Sequence, residues 1–330
     1  MANLLVRDGS LRRVIEAAQA APSLHNTQPW HFAVDDGGTL QVRADLDRAL
    51  WVADPRARAL YLSCGAALFN IRAAIRMNGF NPLVWPLPQP TFSPTVLAVV
   101  RAEPGRPPSL AEREMFHAIW RRHTDRRPFD SDPLPGPVRT ALEEAAGFEF
   151  ASLRLLSSRD AATVLTLASR AGAELARDAE HQAEMQDWVG TDSEQDGIPA
   201  AALPERARRR PAPVRDDDMA GAVPTIPRQN GDYEQFPLLA VLTTERDEPA
   251  DWLRAGQAMQ RVLLTATVHG LAASFLYQPI ELTDMRGDQA PAWPWPEHPQ
   301  MIFRLGYGHG AAAAPRRPVD EVLSRTTTAE

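Results

Sequence analysis

Two long helical segments of similar pattern, far apart in the chain, constrain the fold more than any other feature of this sequence. The first covers residues 64–80 and the second covers residues 255–271, and Gly65 of the first aligns with Gly256 of the second. Both segments end in a glycine suited to a left-handed helix cap. Because small residues let two helix backbones approach closely, the sequence predicts that these helices pack together at the centre of the molecule. The alternative is a chance likeness between two amphipathic helices.

Strand-like segments follow each of these helices, at residues 95–100 after the first and at residues 272–277 and 300–305 after the second. Each half of the chain therefore reads as a mixture of helices and strands. At 330 residues, of which 44% are hydrophobic, the chain can bury a large core. The predicted boundaries are residues 1–103 for the first α+β half, 104–109 for a linker and 110–330 for the second α+β half.

A polar loop near the N-terminus is stiffened by prolines. A helical pattern of apolar residues ends at Pro22, which cannot continue the helix, and a strand is predicted from residue 30. Ser23, Asn26 and Gln28 lie between them. Their hydroxyl and amide groups suit a flat, polar, uncharged ligand edge. The alternative is a turn in which these side chains bond only their own backbone.

Cationic residues gather in the second half. Arg122 and Arg126 are four residues apart, so in a helical turn both side chains would point the same way, with the Thr124 hydroxyl between them. Arginine side chains match the oxygens of a phosphate. Pairing with neighbouring aspartates on the surface is the alternative. Further along, residues 277–281 would bring backbone donors to a ring system, and residues 314–318 would add cations to a phosphate.

An irregular stretch from about residue 189 to residue 235 interrupts the second half. It contains Arg208-Arg209-Arg210 and Asp216-Asp217-Asp218 among few apolar residues. Such a long insertion is usually a functional lid or a disordered segment. The basic run is more typical of a solvated loop than of a binding patch.

Composition excludes several classes of protein. The net charge of −7 makes nucleic acid or an anionic membrane an unexpected partner. A single cysteine, Cys64, excludes an internal disulfide and a cysteine-based metal site, and no metal is predicted. No apolar run approaches the roughly 18 residues of a spanning helix, and no cationic leader precedes an apolar stretch. We therefore expect a cytoplasmic protein.

Together these motifs resemble the FMN-dependent nitroreductase superfamily. The motifs are the Ala-Pro-Ser-x-x-Asn-x-Gln-Pro-Trp run at 21–30, the Arg-His-Thr-Asp-Arg run at 122–126, the glycine-containing central helix, Pro279-Ile280-Glu281, and Pro-Arg-Arg-Pro at 315–318. In that family two identical subunits intertwine, and FMN lies across their interface. In this chain one set of these motifs is divided between the two halves. This arrangement resembles that of the Acg-type subgroup. The resemblance implies a monomer whose two α+β halves form a pseudo-dimer through the central helices and keep one FMN site.

Two departures from the family pattern accompany this resemblance. Leu282 stands where many members have a glycine. The insertion is foreign to simple nitroreductases, and in the Acg-type subgroup it lies over the flavin as a lid. Access of a substrate to the flavin is therefore in question.

The resemblance also implies the role of each motif. Arg122, Arg126 and Arg316 would hold the phosphate, with Thr124 as a neutral donor, while Ser23 and Asn26 would bond the ring edge or ribityl chain. Backbone groups of residues 279–281 would face the ring. Whether Arg316 or Arg317 contacts the phosphate stays open. The implied FMN-binding residues are Pro22, Ser23, Asn26, Gln28, Arg122, His123, Thr124, Arg126, Pro279, Ile280, Glu281, Arg316 and Arg317.

Two functions follow from the resemblance. The first is an oxidoreductase that takes a hydride from NAD(P)H onto FMN and reduces a nitro compound, a quinone or a similar acceptor. No catalytic side chain is assigned, because the flavin carries the chemistry. The second is a protein that sequesters FMN under a closed lid, with little turnover. A fold that has lost its flavin and kept only a partner-binding role is a third, weaker alternative.

Overall fold

The structure is a computed structural model that describes residues 4–89, 91, 93–207, 230–281 and 295–326. Much of the predicted insertion, with both of its charged runs, and Leu282 lie outside these residues. The helices are α1 (Asp8–Gln19), α2 (Arg58–Met77), α3 (Leu110–Ala118), α4 (Gly136–Gly147), α5 (Ser158–Leu175), α6 (Ala179–Trp188), α7 (Pro249–Val268), α8 (Gln278–Glu281) and α9 (Val319–Val322).

The strands are β1 (Trp30–Asp35), β2 (Leu40–Ala44), β3 (Phe80–Pro86), β4 (Val96–Pro104), β5 (Ser152–Leu155), β6 (Val189–Thr191), β7 (Ile198–Pro199), β8 (Arg206–Ala207), β9 (Asn230–Gly231), β10 (Leu238–Thr244), β11 (Ala272–Phe275), β12 (His298–Gly306) and β13 (Leu323–Thr326). The predicted strands near residues 30, 95, 272 and 300 are therefore confirmed. No helix in the described ranges is both long and apolar enough to cross a membrane.

Two main sheets repeat the same strand order. The first runs β13-β1-β2-β4-β3 and the second runs β5-β10-β12-β11. Without β13 the orders match strand for strand, and the matching neighbours are antiparallel in both sheets. The prediction of two related α+β halves is therefore confirmed.

The central helices α2 and α7 cross at the two aligned glycines. A Cβ added at Gly65 would lie 3.0 Å from the Gly256 Cα, and one added at Gly256 would lie 2.9 Å from the Gly65 Cα. Any side chain at either position would therefore push the helices apart. The predicted packing of the halves through these helices is confirmed. Gly79 and Gly270 follow the helices with φ of 81° and 76°, the left-handed conformation expected of a cap.

The halves differ in two connections. Strands β1 and β2 are joined by residues 36–39, whereas the corresponding strands β5 and β10 are joined by residues 156–237, which include α5 and α6. Helix α5 buries an apolar stripe that includes Val164, Leu167 and Ala171, and part of this stripe joins a small second core. In addition, β13 from the end of the chain pairs in parallel with β1 of the first sheet. The C-terminal segment thus crosses from one half to the other.

Candidate functional site

A small cavity of about 50 Å³ brings together two of the predicted motifs. It lies between the α1–β1 connection and the segment after α3, and the C-terminal tail forms a third wall. The residues that line it include Pro22, Ser23, Asn26, Arg122, His123, Thr124, Arg126 and Arg316 from the predicted set, with Gly197, Ile198, Pro199 and Ala202 from the predicted insertion.

The α1–β1 connection has an unusual backbone. His25, Asn26 and Gln28 have φ values of 47°, 59° and 51°, which is the left-handed region that side chains other than glycine rarely adopt. Such conformations persist where the surrounding structure enforces them, and they cluster at functional sites. These backbone conformations therefore mark the connection as a candidate functional segment.

Side-chain bonds of this loop reach distant segments. Asn26 Nδ2 donates to the Gly197 and Pro315 carbonyls, each at 3.0 Å, and Asn26 Oδ1 accepts from Arg316 at 3.0 Å. Gln28 Nε2 donates to the Gln195 carbonyl at 2.7 Å. The turn-only alternative fails for these two amides. Ser23 makes the turn bond, since its hydroxyl accepts from the Gln28 backbone N–H at 2.9 Å, and it also lines the cavity.

The predicted helical turn over residues 122–126 is wrong. Helix α3 ends at Ala118, and Thr124 instead forms a parallel β-bridge with Ala273. Arg122, His123, Thr124 and Arg126 nevertheless all line the cavity. The segment does not continue as a helix because Thr124 pairs with a strand that is remote in sequence.

Two cations, the buried Arg122 and the half-buried Arg316, face this cavity without a carboxylate partner among the described residues. Arg122 is 5% exposed, and burial and the nearby Arg316 lower its pKa to about 9. Burial alone lowers the pKa of Arg316 to about 10. Within the described part of the chain neither guanidinium forms an ion pair, and the Arg122 Nε has no hydrogen-bond partner. Since unpaired buried charge is costly, the cavity is prepared for an anion.

The neighbouring charged residues do not supply that anion. Asp125, the aspartate nearest in sequence, is held by Arg127 through two bonds of 3.0 Å. The alternative of surface pairing with neighbouring aspartates therefore fails for Arg122. His123 stays close by, and burial and then Arg122 and Arg316 lower its pKa.

The C-terminal tail presents one of its two arginines to the cavity. Arg316 lines it and donates to the Gln19 carbonyl at 2.5 Å and to Asn26 Oδ1. Arg317 instead lies 3.3 Å from the Asp45 carboxylate. The backbone N–H of Arg317 donates to Gln28 Oε1 at 3.0 Å. The open choice between these two arginines is thus answered in geometry: Arg316 faces the cavity.

The Pro279-Ile280-Glu281 motif lies elsewhere. Ile280 and Glu281, in the short helix α8, line a separate cavity of about 20 Å³, and Pro279 is buried without lining either cavity. Leu24 of the α1–β1 connection lines that second cavity too, so the loop separates the two spaces. The structure therefore does not bring this motif into the cationic cavity.

Residues 189–205, called the lid below, close the cationic cavity. The lid is tied to the first half by the bonds from Asn26 and Gln28 and by an ion pair between Arg48 and Asp196. Arg48 also donates to the Thr27 carbonyl at 2.5 Å and lies 5.1 Å from the centre of the Trp188 ring. This lid lies within the predicted insertion, and Arg48 was not anticipated because no motif marks it.

Two buried histidines meet between the loop and the segment that leads to the lid. His25 is 6% exposed and His181, from α6, is 1% exposed. Burial, then His181 and Arg126, lower the pKa of His25 to about 3. The ring nitrogens of His25 have no hydrogen-bond partner among the described residues. His25 is therefore held as a neutral ring.

The residues of the cationic cavity fit the phosphate of a flavin nucleotide. Its volume is suited to a phosphate-sized group, and is far below the about 300–1,000 Å³ of a pocket for a drug-sized ligand. The lid residues Gly197, Ile198, Pro199 and Ala202 line the same cavity. Fold and site thus define a single chain built like a dimer of α+β subunits, with a lidded anion cavity between its halves.

Relatives of known sequence agree with this architecture. A protein of Mycobacterium tuberculosis named "Putative NAD(P)H nitroreductase acg" is 31% identical over 329 residues, which is 98% of each chain. Another protein of that organism, also named as an NAD(P)H nitroreductase, is 31% identical over 319 residues, 95% of this chain and 91% of the relative. No family model matches the sequence. The chain belongs to the nitroreductase family, in its Acg-type subgroup.

Solved structures show a weaker likeness. A nitroreductase with bound FMN from Desulfitobacterium hafniense is 15% identical, with a TM-score of 0.39 over 64% of this chain and 97% of that chain. The FMN-dependent nitroreductase NfnB from Mycobacterium smegmatis, in complex with NADPH, is 18% identical, with a TM-score of 0.38 and the same coverage.

Proposed function

We propose that the chain binds FMN and uses NAD(P)H to reduce nitro compounds, quinones or similar acceptors by two electrons, as a cytoplasmic monomer. The observation that carries this proposal is a pair of neighbouring guanidinium groups, that of the buried Arg122 and that of the half-buried Arg316, which have no carboxylate partner in the described ranges. A phosphate would neutralise them. The names of the relatives, NAD(P)H nitroreductases, support the reaction class.

In this proposal Arg122, Arg126 and Arg316 hold the phosphate, and the Thr124 hydroxyl adds a neutral hydrogen bond. When bound, FMN supplies the hydride-accepting and electron-passing chemistry. Ser23 and Asn26 serve the ring edge or ribityl chain, for which Asn26 has to exchange its present lid and tail partners. The two halves, residues 1–103 and 110–330, act as a pseudo-dimer around this one site.

A direct experiment tests the proposal. The purified chain is examined for flavin absorbance, reconstituted with FMN if colourless, and then mixed with NADH or NADPH without oxygen. Rapid bleaching of the flavin supports the reductase. A chain that cannot be reconstituted with FMN rejects flavin binding altogether, and a yellow chain that neither nucleotide bleaches rejects turnover.

The closed lid favours a second candidate, storage of FMN with little turnover. Arg48 ties the lid to the first half through Asp196, the Thr27 carbonyl and the Trp188 ring. If closure limits access, Arg48→Ala will speed bleaching of bound FMN by NADPH and loss of FMN on dilution. Arg101→Ala is a matched control, since Arg101 lies 6.0 Å from the centre of the Trp85 ring and does not touch the lid. Equal rates in both variants would reject a role for this contact.

A further inference from the structure

A second, larger cavity adjoins the cationic one. It measures about 230 Å³, and Arg122 and His123 line both spaces. Arg122 therefore forms a wall between them. Because its Nε has no partner within the described ranges and its side chain is 5% exposed, this guanidinium has bonding capacity left for a ligand on either side.

Small residues keep this second cavity open. Six of them line it: Gly270, Ala272, Ala273, Gly308, Gly310 and Ala311. A Cβ added at Gly308 would lie 2.8 Å from the Ala272 Cβ and 2.9 Å from Asp125 Oδ2. The space is just below the about 300 Å³ at which pockets for drug-sized ligands begin, which is room for a nucleoside-sized group.

The second cavity is lined both by cationic residues and by the C-terminal end of a helix. Arg121, Arg122 and His123 stand at one wall. The carboxylate of Asp125, which also lines the cavity, is neutralised by its two bonds to Arg127. The lining also includes Thr267 and Gly270 at the C-terminal end of α7, where the helix dipole is negative and favours a hydrogen-bond donor.

We propose that this second cavity binds the adenosine phosphate of a nucleotide, with its phosphate at Arg122 and its adenine toward the end of α7. The flat, uncharged base suits a space lined by small residues, and its exocyclic amino group suits the negative end of the helix. The proposal deepens the proposed function, on which it rests for the flavin phosphate at the other side of Arg122. Two sources carry this group: FAD in place of FMN, or the adenylate end of NAD(P)H.

The test begins with AMP, titrated calorimetrically into the apoprotein. Wild type binds AMP, and Ala311→Phe, which fills the cavity from a loop, weakens that binding at least tenfold. Ala272→Leu fills it from β11 and gives the same result if the loop variant misfolds. Ala111→Phe, on the exposed face of α3, is the matched control and leaves AMP binding unchanged.

Further titrations identify the source. If the group belongs to FAD, Ala311→Phe lowers affinity for FAD while affinity for FMN is kept. If it belongs to the nucleotide donor, the same variant weakens NADPH on FMN-loaded protein. AMP that does not bind wild type, or binds Ala311→Phe and Ala272→Leu as well as wild type, overturns the proposal. Failure of FMN to bind wild type sinks the proposed function instead, and the AMP titration still decides this site.

Discussion

Corresponding connections in the two halves differ sharply although the sheets around them repeat. The α1–β1 connection, residues 20–29, is buried and polar, and three of its residues other than glycine have left-handed backbone. The α4–β5 connection, residues 148–151, is short and exposes Phe148 and Phe150 by 66% and 84%. Duplication of the fold therefore did not duplicate the site.

The tails that follow β12 and β4, the corresponding strands of the two sheets, differ in the same way. Arg316, in the tail after β12, is half-buried near Arg122 and has no carboxylate partner in the described part of the chain. Arg106, in the tail after β4, is bonded to both carboxylate oxygens of Glu112 at 2.8 and 2.9 Å. A cation that is already neutralised by the protein has little to offer a ligand. Among the described residues, the comparison favours the tail after β12 over the tail after β4 as an anion site.

The largest expected effect is on FMN affinity, when one arginine is removed from each of the two compared regions. Arg122→Met should weaken FMN about 10- to 100-fold, because a hydrogen bond to a charged group contributes about 1.5–3 kcal/mol. The same change should raise the thermal stability of the apoprotein, since it removes an unpaired buried charge. Fluorescence titration and thermal unfolding measure the two effects. Arg106→Met is the control, and equal loss of FMN affinity in both variants would break the comparison.

The next largest effect concerns pH. Lowering the pH should destabilise the protein through the first connection, because that connection buries the titratable ring of His25. The native pKa of His25, about 3, lies below its ordinary 6.5, so its neutral form stabilises the fold above pH 6.5 and that stability is lost as the pH falls toward 3. At pH 5 the loss is about 2 kcal/mol. Denaturant unfolding at pH 7 and pH 5 should show a smaller decrease for His25→Gln than for wild type.

His117→Gln, on the exposed face of α3, is the control for this pH experiment and should follow the wild-type profile. Parallel profiles for wild type and His25→Gln would show that His25 is already protonated or solvated near neutral pH.

The smallest expected effect is on the free energy of unfolding, which a glycine substitution should raise in one loop and lower in the other. Phe150 has φ of 56° and is exposed, so Phe150→Gly should raise the free energy of unfolding by about 0.5–1 kcal/mol. Gln28→Gly relieves a similar backbone strain but loses the bonds to the Gln195 carbonyl and the Arg317 N–H, so it should lower that free energy by about 1–2 kcal/mol. Urea unfolding measures both. A gain of stability in both variants would mean that the first loop is not held by those bonds.

Much of the fold was predictable because it depends on local periodicity. The apolar spacing of α2 and α7, their aligned glycines and their glycine caps are visible in the sequence, and each became a structural feature. The geometry of the segment from Arg122 to Arg126 was not predictable from the sequence, because it arises from a bridge to Ala273, far along the chain. The separation of Pro279-Ile280-Glu281 from the cationic cavity was equally hidden, since it depends on where Leu24 and its loop are packed.

By itself, the sequence determined that the chain is duplicated, where its polar and cationic motifs lie, and that each motif occurs in one half alone. The tertiary structure decided that Arg316 rather than Arg317 faces the cavity, that β13 crosses to the first sheet, and that the lid is held by Arg48. Local patterns record which residues form a helix, strand or loop. Which side chains meet, and which charges are left without a partner, depends on contacts between segments that are remote in sequence.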